Sequence, residues 1–282
     1  MIVKNNWFQE NLGERLNEYL FADDKLLIEP CKDFDAKFNL YEFREKSFDD
    51  AVDEACKEIS EKYDNLFLAY SGGMDSEFVL RAFHRNGIKI TPLIVCCGNE
   101  YENEYAYETC EELGIEYIKI EVTEEVFLNW WYSCIKKKFN GTGINSVQLL
   151  FAAEVATQRK GTLITGEHLL GQGDEIIEEE NFSFSCEWDF YTDHNFKDLN
   201  IIPFFLYTPE LTYSMFPLEE NGFWNDYKSK LYKIPSRRKI TPIYSDDLLY
   251  KINTIIKLIP DMKRTKVWSK TEIVETFNKY KR

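Results

Sequence analysis

Three histidines, His84, His168 and His194, are all that this 282-residue sequence contains, and they are scattered without metal-ligand spacing. That disfavours a structural zinc site. The seven cysteines are odd in number and include no C-x-x-C pair, so they read as reduced, small apolar residues of a cytoplasmic protein. No run approaches the roughly 18 to 20 continuous apolar residues of a membrane span. The opening Met1-Ile2-Val3-Lys4-Asn5-Asn6 turns polar too early for a secretory signal. Positive charge is also in deficit: 34 Lys and Arg stand against 49 Asp and Glu, a formal charge of −15. Such a surface repels polyanions, which disfavours duplex DNA as a partner and confines RNA to a local basic groove. Linkers rich in glycine, proline or serine, and internal repeats, are missing as well.

What is present is material for a core. Apolar residues make up 44% and aromatics 16%, too much for a disordered chain. Trp7-Phe8 to Tyr19-Leu20 and Phe48 to Ile59 place apolar groups at three- and four-residue steps and predict helices, with short strands and turns from Leu26 to Phe43. Residues 1–60 are thus expected as a mostly helical segment. From Asn65 strands and helices alternate. Strands are predicted over 66–70, 90–97, 116–122 and 162–165. Helices are predicted over 76–86 and 103–113, the second capped by Asn103, with Gly87 and Gly114 as stops. Thr123 can cap a further helix, and another begins at Asn145. The alternation predicts an α/β fold, a doubly wound parallel sheet with helices on both faces, within residues 61–178. Past Glu180, Phe182, Phe184, Cys186, Trp188 and Phe190 alternate with polar residues as one strand of a hairpin. Residues 179–282 are expected as a hairpin plus a helical region closing over the site.

Between the first predicted strand of that sheet and its helix lies Ser71-Gly72-Gly73-Met74-Asp75-Ser76. The glycines let the backbone turn sharply and approach a ligand, and the helix start aims amide groups and a positive dipole end into the same cup. That is phosphate-binding chemistry. No G-K-[ST] follows, which excludes a Walker-A loop, and G-x-G-x-x-G is absent. Asp75 is unusual beside phosphate and suggests loop orientation or Mg²⁺ binding.

Tyr70 to Ser76 resembles the S-G-G-x-D-S signature of the N-type ATP pyrophosphatases, or PP-loop proteins, which include asparagine, GMP and NAD synthetases and tRNA-modifying thiolases. Five fixed positions arise by chance in roughly one chain of this length in a few thousand. Gly166-Glu167 and then Gly171-Gln172-Gly173-Asp174-Glu175 resemble, in a more compact order, the G-x-G-x-D-E loop of the asparagine synthetases, the nearest members in motif. The resemblance implies that ATP and Mg²⁺ are bound, that a substrate oxygen attacks the α-phosphorus with pyrophosphate release, and that nitrogen then displaces AMP. It implies nucleotide contacts from Ala69, Ser71, Gly72, Gly73, Asp75, Ser76, Gly166 and Glu167, and metal contacts from Asp75, Asp174 and Glu175. Asp75, Ser76 and Lys239, the last within the basic cluster Ser236-Arg237-Arg238-Lys239, are the candidate catalytic groups. The acceptor is a small molecule or an RNA; modification of tRNA or a nucleobase, including thiolation, and a degenerate nucleotide-binding module are the alternatives. Met1 is followed by Ile2, so the amide-cleaving nucleophile of complete asparagine synthetases is missing, and a separate ammonia or sulfur donor protein is expected.

Overall fold

The computed structural model describes residues 8–11, 19–22, 25–28, 35–38, 42–97, 100–123, 126–127, 144–167, 182–183, 200–215, 224–235, 267–268 and 270–282. Its N-terminal part departs from the helical expectation. Phe8–Asn11 (β1) pairs antiparallel with Asp35–Phe38 (β4), and Tyr19–Ala22 (β2) pairs antiparallel with Lys25–Ile28 (β3). Ala22 faces Lys25 across Asp23-Asp24, so Tyr-Leu-Phe-Ala and Lys-Leu-Leu-Ile flank a two-residue acidic junction. Apolar runs broken by such a pair favour a hairpin, and Gly13 weakens any helix joining Trp7 to Leu20.

The expected helix over Phe48 to Ile59 is present as Phe48–Lys62 (α1). Ser47 caps it, its hydroxyl accepting from the Asp50 amide, and Asp49 and Asp50 occupy the positive first turn. Phe48, Ala51, Val52, Ala55, Cys56 and Ile59 form its buried stripe.

Leu66–Ala69 (β5) is apolar throughout, as a strand covered on both faces requires. Met74–Arg85 (α2), Thr91–Cys96 (β6), Glu100–Leu113 (α3), Ile118–Glu121 (β7), Ile144–Gln158 (α4) and Thr162–Thr165 (β8) follow in the expected alternation. Gly87 and Gly114 sit past the ends of α2 and α3 with positive φ, as helix stops should. Asn103 is not a cap: α3 opens three residues earlier, at Glu100, and Asn103 is buried within it. Thr123 does accept from the Val126 amide, at 3.3 Å, as an N-cap would.

Five parallel strands make the central sheet, in the order β10-β8-β5-β6-β7. The outermost is Asn200–Pro203 (β10), from the C-terminal region, paired along β8 from Asn200↔Thr162 to Pro203↔Thr165. It is an edge strand, where Pro203 costs no ladder bond on its outer side. Helix α2 packs on α1 and α3, whereas α4 packs on β5, β6 and β8. Chain progress runs β5-β6-β7 in one direction and then returns to β8 on the far side of β5. With right-handed crossovers, α4 therefore covers the face opposite α2 and α3. The reversal lies between β5 and β8, and in such sheets ligands collect at the strand exits beside it.

Pro209–Ser214 (α5) rests on α1, and Trp224–Tyr232 (α6) and Lys270–Asn278 (α7) complete the described helices. Phe182–Ser183 (β9) pairs antiparallel with Val267–Trp268 (β11); the rest of the alternating stretch to Phe190 lies outside the described residues. Rings of Phe48, Phe78, Phe205 and Tyr232 stack between α1, α2, α6 and the turn after β10, Phe78 and Tyr232 at 4.4 Å. Stacked aromatics contribute about 0.5–1.5 kcal/mol each beyond buried area. Among the described residues no helix is long and apolar enough to cross a membrane.

Candidate functional site

The Ser71–Ser76 loop leaves β5 at the reversal point and enters α2. Gly72 takes φ 76°, the left-handed region that a side chain disfavours. Gly73 is the N-cap of α2 and, lacking a side chain, makes no side-chain cap hydrogen bond. The two seryl hydroxyls brace the loop from within. Ser71 Oγ accepts from the Gly73 amide at 3.2 Å and lies 3.2 Å from Ser76 Oγ, which donates to the Gly73 carbonyl at 3.1 Å. The result is a loop fixed by its own side chains at the start of a helix.

The neighbouring strand exit closes its wall. A Cβ placed on Gly166 would stand 3.0 Å from the Ser76 nitrogen. Glu167 lies beside it, half-buried, with Oε2 accepting from the Thr165 hydroxyl at 3.1 Å. Ala69, Ser71, Gly72, Gly73, Asp75, Ser76, Gly166 and Glu167 are therefore brought together at two adjacent strand exits. Lys239, Asp174 and Glu175 lie outside the described residues, as do Arg237, Arg238 and His168.

Two residues that sequence reasoning passed over stand at the centre of this site. Lys228 Nζ donates to both oxygens of Asp75, at 3.0 and 2.7 Å, and the Tyr232 hydroxyl donates to Oδ1 at 3.0 Å. Both donors come from α6, one turn apart, which puts them on one face. The Lys228 side chain is 5% exposed and that of Asp75 27%. A buried ammonium persists only when paired and hydrogen-bonded. Burial raises the Tyr232 phenol well above its ordinary pKa, and the adjacent Asp75 charge raises it further. It therefore remains a proton donor to Asp75.

The cysteines at the end of β6 behave as packing. Burial raises the Cys96 thiol, which lies 2.9 Å from the Tyr107 hydroxyl, and Cys97 is buried with its sulfur accepting from Gln148 at 3.3 Å. A thiolate nucleophile needs the opposite shift.

Of the residues expected to hold Mg²⁺, Asp75 alone lies among the described residues. Among them no three His, Cys, Asp or Glu side chains converge. Both Asp75 oxygens face an ammonium or a phenol instead.

No protein-family model matches the sequence, and no curated protein does. Solved structures match it in shape. An NH3-dependent NAD synthetase from Campylobacter jejuni subsp. jejuni, in complex with nitrate, aligns over 45% of this chain and 62% of its own, at 22% identity and TM-score 0.35. NMN synthetase from Francisella tularensis aligns over 84% and 93%, at 15% identity and TM-score 0.41. A glutamine-dependent NAD+ synthetase from Acinetobacter baumannii, in complex with ADP, aligns over 52% and 33%, at 11% identity and TM-score 0.36. The chain thus spans less than two thirds of the first protein's length and a third of the last's. The S-G-G-x-D-S motif stands at the exit of the central strand of a five-stranded parallel sheet, as its resemblance to the PP-loop ATP pyrophosphatases implies.

Proposed function

We propose that this chain is an ATP-consuming, AMP-forming enzyme that adenylates a substrate oxygen and then transfers nitrogen to the activated centre. One observation carries the reading: the signature loop opens α2 without a side-chain cap, at the reversal point of the sheet, with the Lys228 ammonium held beside it by Asp75.

In this reading the pyrophosphate end of ATP is cradled by the loop of residues 71–76 at the N-terminal end of α2. A carboxylate oxygen attacks the α-phosphorus, the bond from that phosphorus to the bridging oxygen breaks, and pyrophosphate leaves. Ammonia then adds to the acyl carbon and AMP leaves with the carbon–oxygen bond, giving an amide. The chain's contribution is positioning and fixed positive charge aimed at the leaving diphosphate. Gly166 lets the second strand exit approach the loop closely, and Glu167, beside it, is assigned to the acceptor or the ribose.

A sulfur-transferring version would need an activated thiolate, and the raised Cys96 thiol weighs against one on β6. The test is product analysis by ³¹P NMR and mass spectrometry with a panel of small carboxylic acids, ammonium and RNA. AMP with pyrophosphate, released only when a small acid is present, supports the reading. ADP with phosphate refutes it, and AMP release driven by RNA alone favours a nucleic-acid-modifying enzyme instead.

A further inference from the structure

Resting on the adenylating reading above, the geometry points to one of the two roles that the sequence leaves open for Asp75: it anchors the buried ammonium of Lys228 and is not a metal ligand, so the cation beside this loop is built into the protein.

Three observations carry this. The first is occupancy of the carboxylate: Oδ1 receives Lys228 Nζ and the Tyr232 hydroxyl, each at 3.0 Å, and Oδ2 receives Lys228 Nζ at 2.7 Å. The second is that these donors are built in. They stand one turn apart on α6, the Lys228 side chain is 5% exposed, and the Tyr232 ring packs at 4.4 Å from Phe78 and 5.6 Å from Phe205. Tyr232 cannot swing to solvent without opening the aromatic stack, and Lys228 is buried one turn before it. The third is placement: Asp75 lies in the first turn of α2, and α6 brings both donors against it.

A divalent ion on either oxygen would lie within a few ångströms of the ammonium, where partial burial screens like charges poorly. A hard cation also asks for several oxygen ligands, and Asp75 supplies two that are already engaged. The sequence position of Asp75, in the first turn of α2, explains its use as an anchor. A carboxylate there places whatever cation it holds at the mouth of the phosphate loop. Asp75 is thus a positioning residue, and Lys228 supplies the fixed cation behind the loop.

The test uses the full chain as wild type, D75N, K228M and D75N/K228M. Mn²⁺ binding is followed by electron paramagnetic resonance with and without a non-hydrolysable ATP analogue. Binding of the analogue is measured by calorimetry in EDTA. Expected are Mn²⁺ affinities within about two-fold of wild type throughout, and analogue affinity reduced at least ~10-fold in D75N and K228M alike, with the double variant no worse than either. The double variant removes both charges together, so it remains informative where a single variant fails to fold. A ~10-fold or greater loss of Mn²⁺ affinity in D75N or in the double variant overturns the anchor role, as does analogue binding that K228M leaves unchanged. A wild-type chain that takes no analogue refutes the adenylating reading instead, and the Mn²⁺ titration without nucleotide then decides the role of Asp75 by itself.

Discussion

Gly166 and Ser76 approach so closely that two strand exits form one continuous wall: a Cβ on Gly166 would lie 3.0 Å from the Ser76 nitrogen and 3.2 Å from both the Ser76 Cα and the Asp75 carbonyl carbon. The atoms it would meet are all backbone, which cannot rotate away as a side-chain tip can. Gly166→Ala is therefore expected to push the loop from its place, weakening nucleotide binding at least ~10-fold and costing about 1–3 kcal/mol of stability. Gly114→Ala is the control. Its φ of +65° is strained for alanine but nothing lies within 4 Å of the added carbon, so it costs about 1 kcal/mol and leaves nucleotide binding intact. Calorimetry and urea titration separate the two outcomes.

Ser76 braces the loop through its hydroxyl, which donates to the Gly73 carbonyl and meets Ser71 Oγ. Ser76→Ala removes these two contacts and the acceptor of the Ser71 amide, at little cost in volume. Turnover is expected to fall by ~10² while the melting temperature moves by no more than about 2 °C, as for loss of one fixed hydrogen-bonding group in a preorganised anion site. Steady-state kinetics and a thermal melt check this, and wild-type turnover would remove Ser76 from the machinery.

Arg81 ties α2 to α3. Its guanidinium meets Glu112 at 3.0 and 2.7 Å and Glu77 at 2.9 Å, and Glu77 is buried. Arg81→Met takes the countercharge from a buried carboxylate and is expected to cost about 2–3 kcal/mol. Glu112→Gln touches only the exposed end of the network and should cost under about 1 kcal/mol. Equal losses in urea unfolding would show that Glu77 does not depend on Arg81.

Cys110 offers a test in alkali. Burial raises its thiol from an ordinary 9.0 to about 11. The folded state therefore keeps its proton longer than the unfolded state does. Its stabilising contribution is complete below pH 9 and is lost as pH climbs toward 11, by about 2 kcal/mol. Cys110→Ala should flatten that part of the stability curve relative to wild type, and an unchanged slope would contradict the assignment.

The central sheet was legible because β5, β6 and β8 are nearly unbroken apolar runs between helices with glycine stops, and because the loop after β5 carries a signature. Elsewhere local pattern was outweighed by partners distant in the chain. Trp7 to Leu20 satisfies helical spacing, yet Phe8–Asn11 finds its mate in Asp35–Phe38. Asn200-Ile201-Ile202-Pro203 is only four residues long and ends in proline, so nothing in it announces a strand until β8 is seen to lack a neighbour on that side. Lys228 and Tyr232 escaped notice for the same reason. A lysine and a tyrosine four apart on a helix usually mark a solvated face, and only the placement of Asp75 against α6 gives them a role. Their spacing was the one available hint.

The edge strand also bears on how the chain is made. Until residues 200–203 have left the ribosome, β8 carries a bare row of amide and carbonyl groups on its outer side, beside the freshly formed β5. Such an edge is a template for pairing with other chains. Synthesis that pauses before this segment should thus favour aggregation, and release of the completed chain should relieve it.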